Sequence, residues 1–248
     1  MGDGGEITTS LILLHGVTMP ASAYVDGDFP KHGWKGSVYY AFKPLLAGTP
    51  GLRVVLPQAG EVVPKELLSY PMFGGAKSII SWTNQGAFPP KTWFDFSRND
   101  LVGCIKYIHS LIDKEVARGV SPSRIFIAGH SQGGMVGARA ALTYASASLG
   151  GLMMLSSVNA SEGLAEDVEL TQKGLKILAM HCRDDMAWNF DNTMKSYELL
   201  KAATGGEDNF TLVEMPDSPK DTGCHSPMTP TSQQHIVDFL GGQMPSAK

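Results

Sequence analysis

The chain is short of the features that would send it to a nucleic acid, a membrane or an oxidising compartment. Its 20 Lys and Arg are outnumbered by 24 Asp and Glu, for a formal net charge of −4, and the basic residues nowhere cluster. Phosphate backbones are bound by concentrated positive charge, so this balance argues against a nucleic-acid partner. No apolar run approaches the roughly 20 residues that span a bilayer. The amino-terminal stretch Met1 to Ser10 is polar and glycine-rich, without the basic and apolar regions of a secretory signal. Glu6 stands where a myristoylation motif needs Ser or Thr. Cysteine is scarce: Cys104, Cys182 and Cys224 are odd in number and unrelated in spacing. That pattern fits reduced thiols rather than a disulfide framework, and a cytoplasmic location is the expectation.

What the chain has is apolar material. A hydrophobic fraction of 43% against 18% charged residues supports a large core, and 248 residues is a common size for one α/β domain. Short apolar runs at Thr9–Leu14, Leu52–Leu56, Arg124–Ala128, Leu152–Ser156, Leu175–Met180 and Phe210–Met215 alternate with helical segments. This alternation predicts a mostly parallel sheet with helices on both faces. Helices are expected over Asp100–Gly119, Gln132–Ser146, Asn192–Ala203 and Ser232–Leu240. In the first of these, Leu101, Ile105, Ile108, Ile112 and Val116 recur at three- and four-residue steps, as a buried face requires, with Ser97 as the N-cap. Asp191 or Asn192 is expected to cap the third. One stretch breaks the alternation: Val62 to Lys91 mixes prolines and glycines with Tyr70, Met72, Phe73, Trp82 and Phe88. It reads as a long irregular excursion, and its aromatic content suits a pocket wall or a loop packed on itself.

Gly129-His130-Ser131-Gln132-Gly133 matches G-x-S-x-G. It follows an apolar run and precedes a small-residue helix, the strand, tight turn and helix that hold a strained serine with its hydroxyl exposed. A side chain at Gly129 or Gly133 would collide with backbone in so sharp a turn. Ser131 is therefore the candidate nucleophile of an α/β-hydrolase fold, whose catalytic partners follow in the order acid, then histidine. After Ser131 come His181, His225 and His235. His235 falls inside the last helix and His181 precedes the acids, which leaves His225, in a loop after the last strand, as the base. The acid should leave the end of the strand before it, where Asp184 and Asp185 stand side by side. Backbone N–H groups of Gln132, after the nucleophile, and of Val17, after the first strand, are the candidate oxyanion donors.

With these residues placed, the chain resembles the acyl-protein thioesterase and carboxylesterase family, which includes small lysophospholipases. Leu14-His15-Gly16 is similar to its opening motif, Leu56-Pro57-Gln58-Ala59 to its second strand end, Trp93-Phe94-Asp95 to its Trp-Phe-Asp, and Ser131-Gln132-Gly133-Gly134 to its Ser-Gln-Gly-Gly. The stretch from Leu111 to Val116 and on through Arg118 to Ile125 follows the helix and strand before the nucleophile. The family's acid motif, His-Gly-Asp-x-Asp-Pro, falls on His181 to Met186 and puts the acid on Asp185. Here its glycine, first aspartate and proline are replaced by Cys182, Arg183 and Met186. The resemblance implies one α/β-hydrolase domain over 1–248, hydrolysis of a carboxylic ester or acyl thioester through an acyl-Ser131 intermediate, and neither metal nor organic cofactor. The substrate is expected to be a small-molecule or acylated-protein ester or thioester, with Phe73, Trp82 and Trp93 shaping its pocket. The alternative is a non-catalytic ligand-binding protein on the same scaffold.

Overall fold

The computed structural model describes residues 6–29, 35–62, 77–82, 98–159 and 171–242. Six strands form one sheet: β1 (Thr9–Leu14), β2 (Leu52–Val55), β5 (Ile125–His130), β6 (Gly151–Leu155), β7 (Ile177–His181) and β8 (Phe210–Glu214). Their order is β2-β1-β5-β6-β7-β8, and every neighbouring pair is parallel. Six strands were expected from the sequence, and each lies within two residues of its expected bounds.

The four inner strands are buried along their whole length and mostly apolar because both faces are covered. Successive side chains point to opposite faces, and β1 shows the division: Ile12 and Leu14 enter one core, Leu11 and Leu13 the other. The first core is closed by α3 (Arg98–Ala117), α4 (Gln132–Thr143) and α5 (Phe190–Thr204), through Ile108, Ile112, Val136, Ala140 and Leu200. The second is closed by α1 (Ala23–Asp26), α2 (Lys43–Gly48) and α6 (Pro230–Leu240), through Tyr24, Leu45, Ile236 and Phe239. Among the described residues, no helix is long and apolar enough to cross a membrane.

Three local expectations change. On α3, Val116 is exposed, and Glu115 turns inward instead. Its carboxylate accepts from Ser10 Oγ at 2.6 Å and pairs with Arg53 and Arg118, which neutralises a charge that would be costly alone. The cap of α5 is Asn189, whose side chain accepts the Asn192 N–H at 3.1 Å, rather than Asp191 or Asn192. Within the expected irregular stretch there is some regular structure: β3 (Glu61–Val62) and β4 (Ile79–Ile80) pair as a two-stranded antiparallel ribbon. Ser97, Phe73 and Trp93-Phe94-Asp95 lie outside the described residues.

Candidate active site

From β1 the chain runs to β2 on one side of it and then to β5 on the other. The crevice beyond the carboxyl ends of β1 and β5 is therefore the switch point where open α/β sheets bind ligands. The loop after β1 and Ser131 after β5 both open there.

Ser131 has φ 52° and ψ −124°, a backbone that L-residues adopt only under constraint. The constraint is close packing. A Cβ on Gly129 would stand 2.3 Å from the Gly133 carbonyl, and one on Gly133 would stand 2.3 Å from Leu14 O. The Ser131 N–H donates to Leu155 O at 3.0 Å, and its own carbonyl accepts from Ser157 Oγ at 2.6 Å. Of the other non-glycine residues with positive φ, Thr18 lies in the loop after β1, Ser156 at the end of β6 and Cys224 directly before His225. All four adjoin the carboxyl edge of the sheet.

The loop after β1 is held from several sides. His15 is buried; its Nδ1–H donates to Gly16 O at 2.8 Å and its Nε2 accepts from the Ala59 N–H at 2.9 Å. Burial pulls its pKa down to about 4, which agrees with the neutral tautomer these partners demand. Trp82, only 4% exposed, stacks on His15 with ring centroids 4.8 Å apart and donates Nε1–H to His15 O at 2.8 Å. The Thr18 N–H donates to Ile80 O at 2.8 Å. Next to this segment, Gln132 Oε1 accepts the Trp82 N–H at 3.0 Å, and Gln132 Nε2 donates to Ser81 Oγ at 2.9 Å. Among the described residues, neither the Val17 nor the Gln132 backbone N–H has a protein acceptor. Gly16 abuts Ser131: a Cβ there would lie 3.4 Å from Ser131 Cβ.

At the ends of β7 and β8 the two expected carboxylates separate. Asp184 is exposed, whereas the Asp185 side chain is wholly buried. Asp185 Oδ1 accepts the backbone N–H groups of Ala187 at 2.8 Å and Trp188 at 2.9 Å. Its Oδ2 accepts from His225 Nδ1 at 2.8 Å, and the His225 side chain is 17% exposed. The two loops are tied by the Met186 N–H to Gly223 O at 2.9 Å. His181 lies behind Asp185, its Nε2 at 3.9 Å from Oδ2 but bonded to Trp188 O at 3.2 Å; burial holds its pKa low. His235 lies within α6.

Sequence reasoning missed His130, Tyr24 and Tyr40. His130 is fully buried, with Nε2 donating to His225 O at 2.9 Å and Nδ1 at 2.6 Å from Tyr24 Oη. Tyr40 Oη also donates to His225 O, at 3.3 Å. Only His130 carried a signal: it is the one titratable residue in an otherwise apolar strand end. Among the described residues, no group of three or more His, Cys, Asp or Glu could hold a metal ion.

A family model described as phospholipase/carboxylesterase matches residues 54–226. Carboxylesterase SOBER1 of Arabidopsis thaliana is 28% identical over 123 residues, 50% of this chain and 54% of that protein. Acyl-protein thioesterase 1 of Gibberella zeae is 36% identical over 99 residues, 39% of this chain and 42% of that protein. The matched segment thus spans about half the length of these relatives or less. In three dimensions, the crystal structure of Arabidopsis thaliana SOBER1 covers 94% of this chain and 98% of its own, with a TM-score of 0.67 at 21% identity, a likeness of fold. With an α/β-hydrolase fold and a family match that runs from β2 to the residue after His225, the chain belongs to the phospholipase/carboxylesterase family.

Proposed function

We propose that the protein hydrolyses carboxylic esters or acyl thioesters, with Ser131 as nucleophile, His225 as general base and Asp185 as its orienting acid. The observation that carries this reading is the buried Asp185 carboxylate. One oxygen is fixed by two backbone N–H groups and the other meets His225 Nδ1 at 2.8 Å. That arrangement holds the imidazole with its proton on Nδ1 and leaves Nε2 as the basic atom.

The steps follow from these roles. Ser131 Oγ attacks the acyl carbon while His225 Nε2 takes its proton, and the negative charge passes to the carbonyl oxygen. In this reading the backbone N–H groups of Val17 and Gln132, neither of which has a protein acceptor among the described residues, receive that oxyanion. As the tetrahedral intermediate collapses, the imidazolium returns the proton to the departing alcohol or thiol and an acyl-Ser131 remains. Water, deprotonated by His225, then attacks the acyl-enzyme; the carboxylic acid leaves and Ser131 recovers its proton. Asp185 remains ionised and balances the imidazolium in both halves.

The relatives' names, carboxylesterase and acyl-protein thioesterase, support ester or thioester carbonyls on small molecules or acylated proteins as the substrate class. Cytoplasm is the proposed setting. Phe73 and Trp93, expected to shape the acyl pocket, lie outside the described residues. Of the expected pocket aromatics, the buried Trp82 supports the reading by holding the loop after β1 through His15. Treatment with a fluorophosphonate, followed by peptide mapping, tests the assignment: the label should fall on Ser131. Ser131→Ala should keep its fold and lose hydrolysis by roughly four to six orders of magnitude. A wild-type protein that neither labels nor turns over ester and thioester substrates is a ligand-binding protein instead.

A further inference from the structure

His130 is a fully buried, titratable side chain beside the nucleophile, and the hydrolytic steps make no use of it. Its partners assign its tautomer. The His225 carbonyl can only accept, so His130 Nε2 must carry the proton, and in a neutral ring Nδ1 must then accept. Tyr24 Oη, 2.6 Å away, is the donor, and the same oxygen accepts the Gly16 N–H at 2.9 Å. One continuous chain of hydrogen bonds results: Gly16 N–H to Tyr24, Tyr24 to His130, and His130 to the carbonyl of His225. It starts on the residue before Val17, passes through the residue before Ser131 and ends on the backbone of the proposed base. Three loops from β1, β5 and β8 are thereby held at one set of distances.

We propose that the Tyr24–His130 pair is a positioning device that fixes the oxyanion loop and the His225 loop against Ser131. The inference rests on the reading of Ser131 and His225 given above. Two features make the chain rigid. Burial, with the neighbouring His225 ring adding to it, holds the His130 pKa well below the ordinary histidine value, so the ring stays neutral and keeps its acceptor. Burial likewise pushes the Tyr24 hydroxyl well up, so it stays a donor. A neutral His130 also suits the chemistry. Its ring centroid lies 4.7 Å from that of His225, and a charge there would oppose the imidazolium formed in each transition state. The space is tight as well: a Cβ on Gly16 would lie 3.1 Å from His130 Nδ1 and 3.4 Å from Tyr24 Oη. The pair therefore sets the position of the loop sterically as well as by hydrogen bonds.

The test compares Tyr24→Phe, His130→Phe, the double variant and His130→Gln with wild type and Ser131→Ala, all in the full chain. Active serines are counted by fluorophosphonate titration, kcat and KM are measured per active serine on a short-chain ester, and thermal melting is followed in parallel. Tyr24→Phe and His130→Phe should each lower kcat about ten- to a hundredfold, the scale of one misaligned transition-state interaction, with KM within about threefold. The double variant should be no slower than the worse single one, because both cut the same chain. His130→Gln, whose amide offers both an N–H donor to the His225 carbonyl and a carbonyl acceptor for Tyr24, should recover most of the loss. Wild-type kcat per active serine in both single variants overturns the inference. So does a loss confined to melting temperature and to the number of active serines, which marks a merely structural role. A wild type that is unlabelled at Ser131 defeats the reading of the site and this inference with it. A labelled wild type, a dead Ser131→Ala and an unimpaired Tyr24→Phe defeat the inference alone.

Discussion

Replacing Asp185 by Asn removes one charge and exchanges one acceptor for a donor, and the surroundings dictate which way the new amide points. The Ala187 and Trp188 N–H groups both donate to Oδ1, so the amide oxygen must take that place. The NH2 group is then left facing His225 Nδ1 across the 2.8 Å now occupied by Oδ2. A donor there forces the His225 proton onto Nε2, the atom proposed to accept from Ser131. The base is put in the wrong tautomer, and the imidazolium loses its counter-charge inside a buried site. Loss of both should lower kcat by up to about 10⁴, equivalent to about 5 kcal/mol of transition-state stabilisation. Because the carboxamide is nearly isosteric and keeps both Oδ1 bonds, the melting temperature should move little. Asp184 is exposed and serves as the control: Asp184→Asn should stay within about threefold of wild type. Turnover of a short-chain ester, with circular dichroism on all three proteins, reads both effects. An Asp185→Asn protein within tenfold of wild type, or a ranking with Asp184→Asn the slower, refutes the assignment.

Three further outcomes follow from the geometry around the site. The neutral His15 ring, with its pKa pulled to about 4 from the ordinary 6.5, refuses a proton that the unfolded chain takes up. Stability present above pH 6.5 should thus be lost as the pH falls toward 4, by about 3 kcal/mol from this residue. Urea unfolding at pH 7 and pH 4 measures it, and an equally steep pH dependence in His15→Gln contradicts it. Gly133→Ala gains about 1 kcal/mol of helix propensity, but its Cβ would meet the Leu14 carbonyl at 2.3 Å. The collision should win, with a lower melting temperature and slower fluorophosphonate labelling; a stabilised, fully reactive variant disproves the packing argument. Trp82→Ala empties a 4% exposed site and removes the donor to His15 O, which should cost about 3–5 kcal/mol and slow acetyl, butyryl and octanoyl esters alike. A change confined to the longer chains assigns the indole to the acyl pocket.

Much of this architecture could be read in advance, for a physical reason. Strands buried on both faces are apolar runs, and in this fold the site opens at their carboxyl ends, so Ser131 and the Asp184-Asp185 pair stand where an apolar run stops, and His225 lies in the loop that follows the last one. Other features left weaker marks. Glu115 and Val116 are adjacent on one helix, and apolar periodicity alone places Val116 inward. The inward choice of Glu115 depends on Ser10 and Arg53, which are distant in sequence. The segment Asn189-Phe190-Asp191-Asn192 offers three capping side chains, and only the backbone path selects Asn189. Tyr24 sits in a four-residue helix, too short to show a period, and its link to His130 spans 106 positions.

The parallel pairing of the sheet has a kinetic consequence. Two parallel neighbours cannot be closed by a tight turn, so each of the five pairings in the six-stranded sheet needs a crossover of a dozen residues or more. Local contacts can form helices early, but they cannot form any part of this sheet by a hairpin, and refolding should be slow for the size of the chain. The residues at the site are the last to benefit. Gly16, Ser131, Asp185 and His225 leave from four different strands, and β8, which delivers His225, is the edge strand furthest along the chain. On dilution from denaturant, helical signal and apolar burial should return while the chain is still inert. Hydrolysis should reappear only when β8 docks against β7.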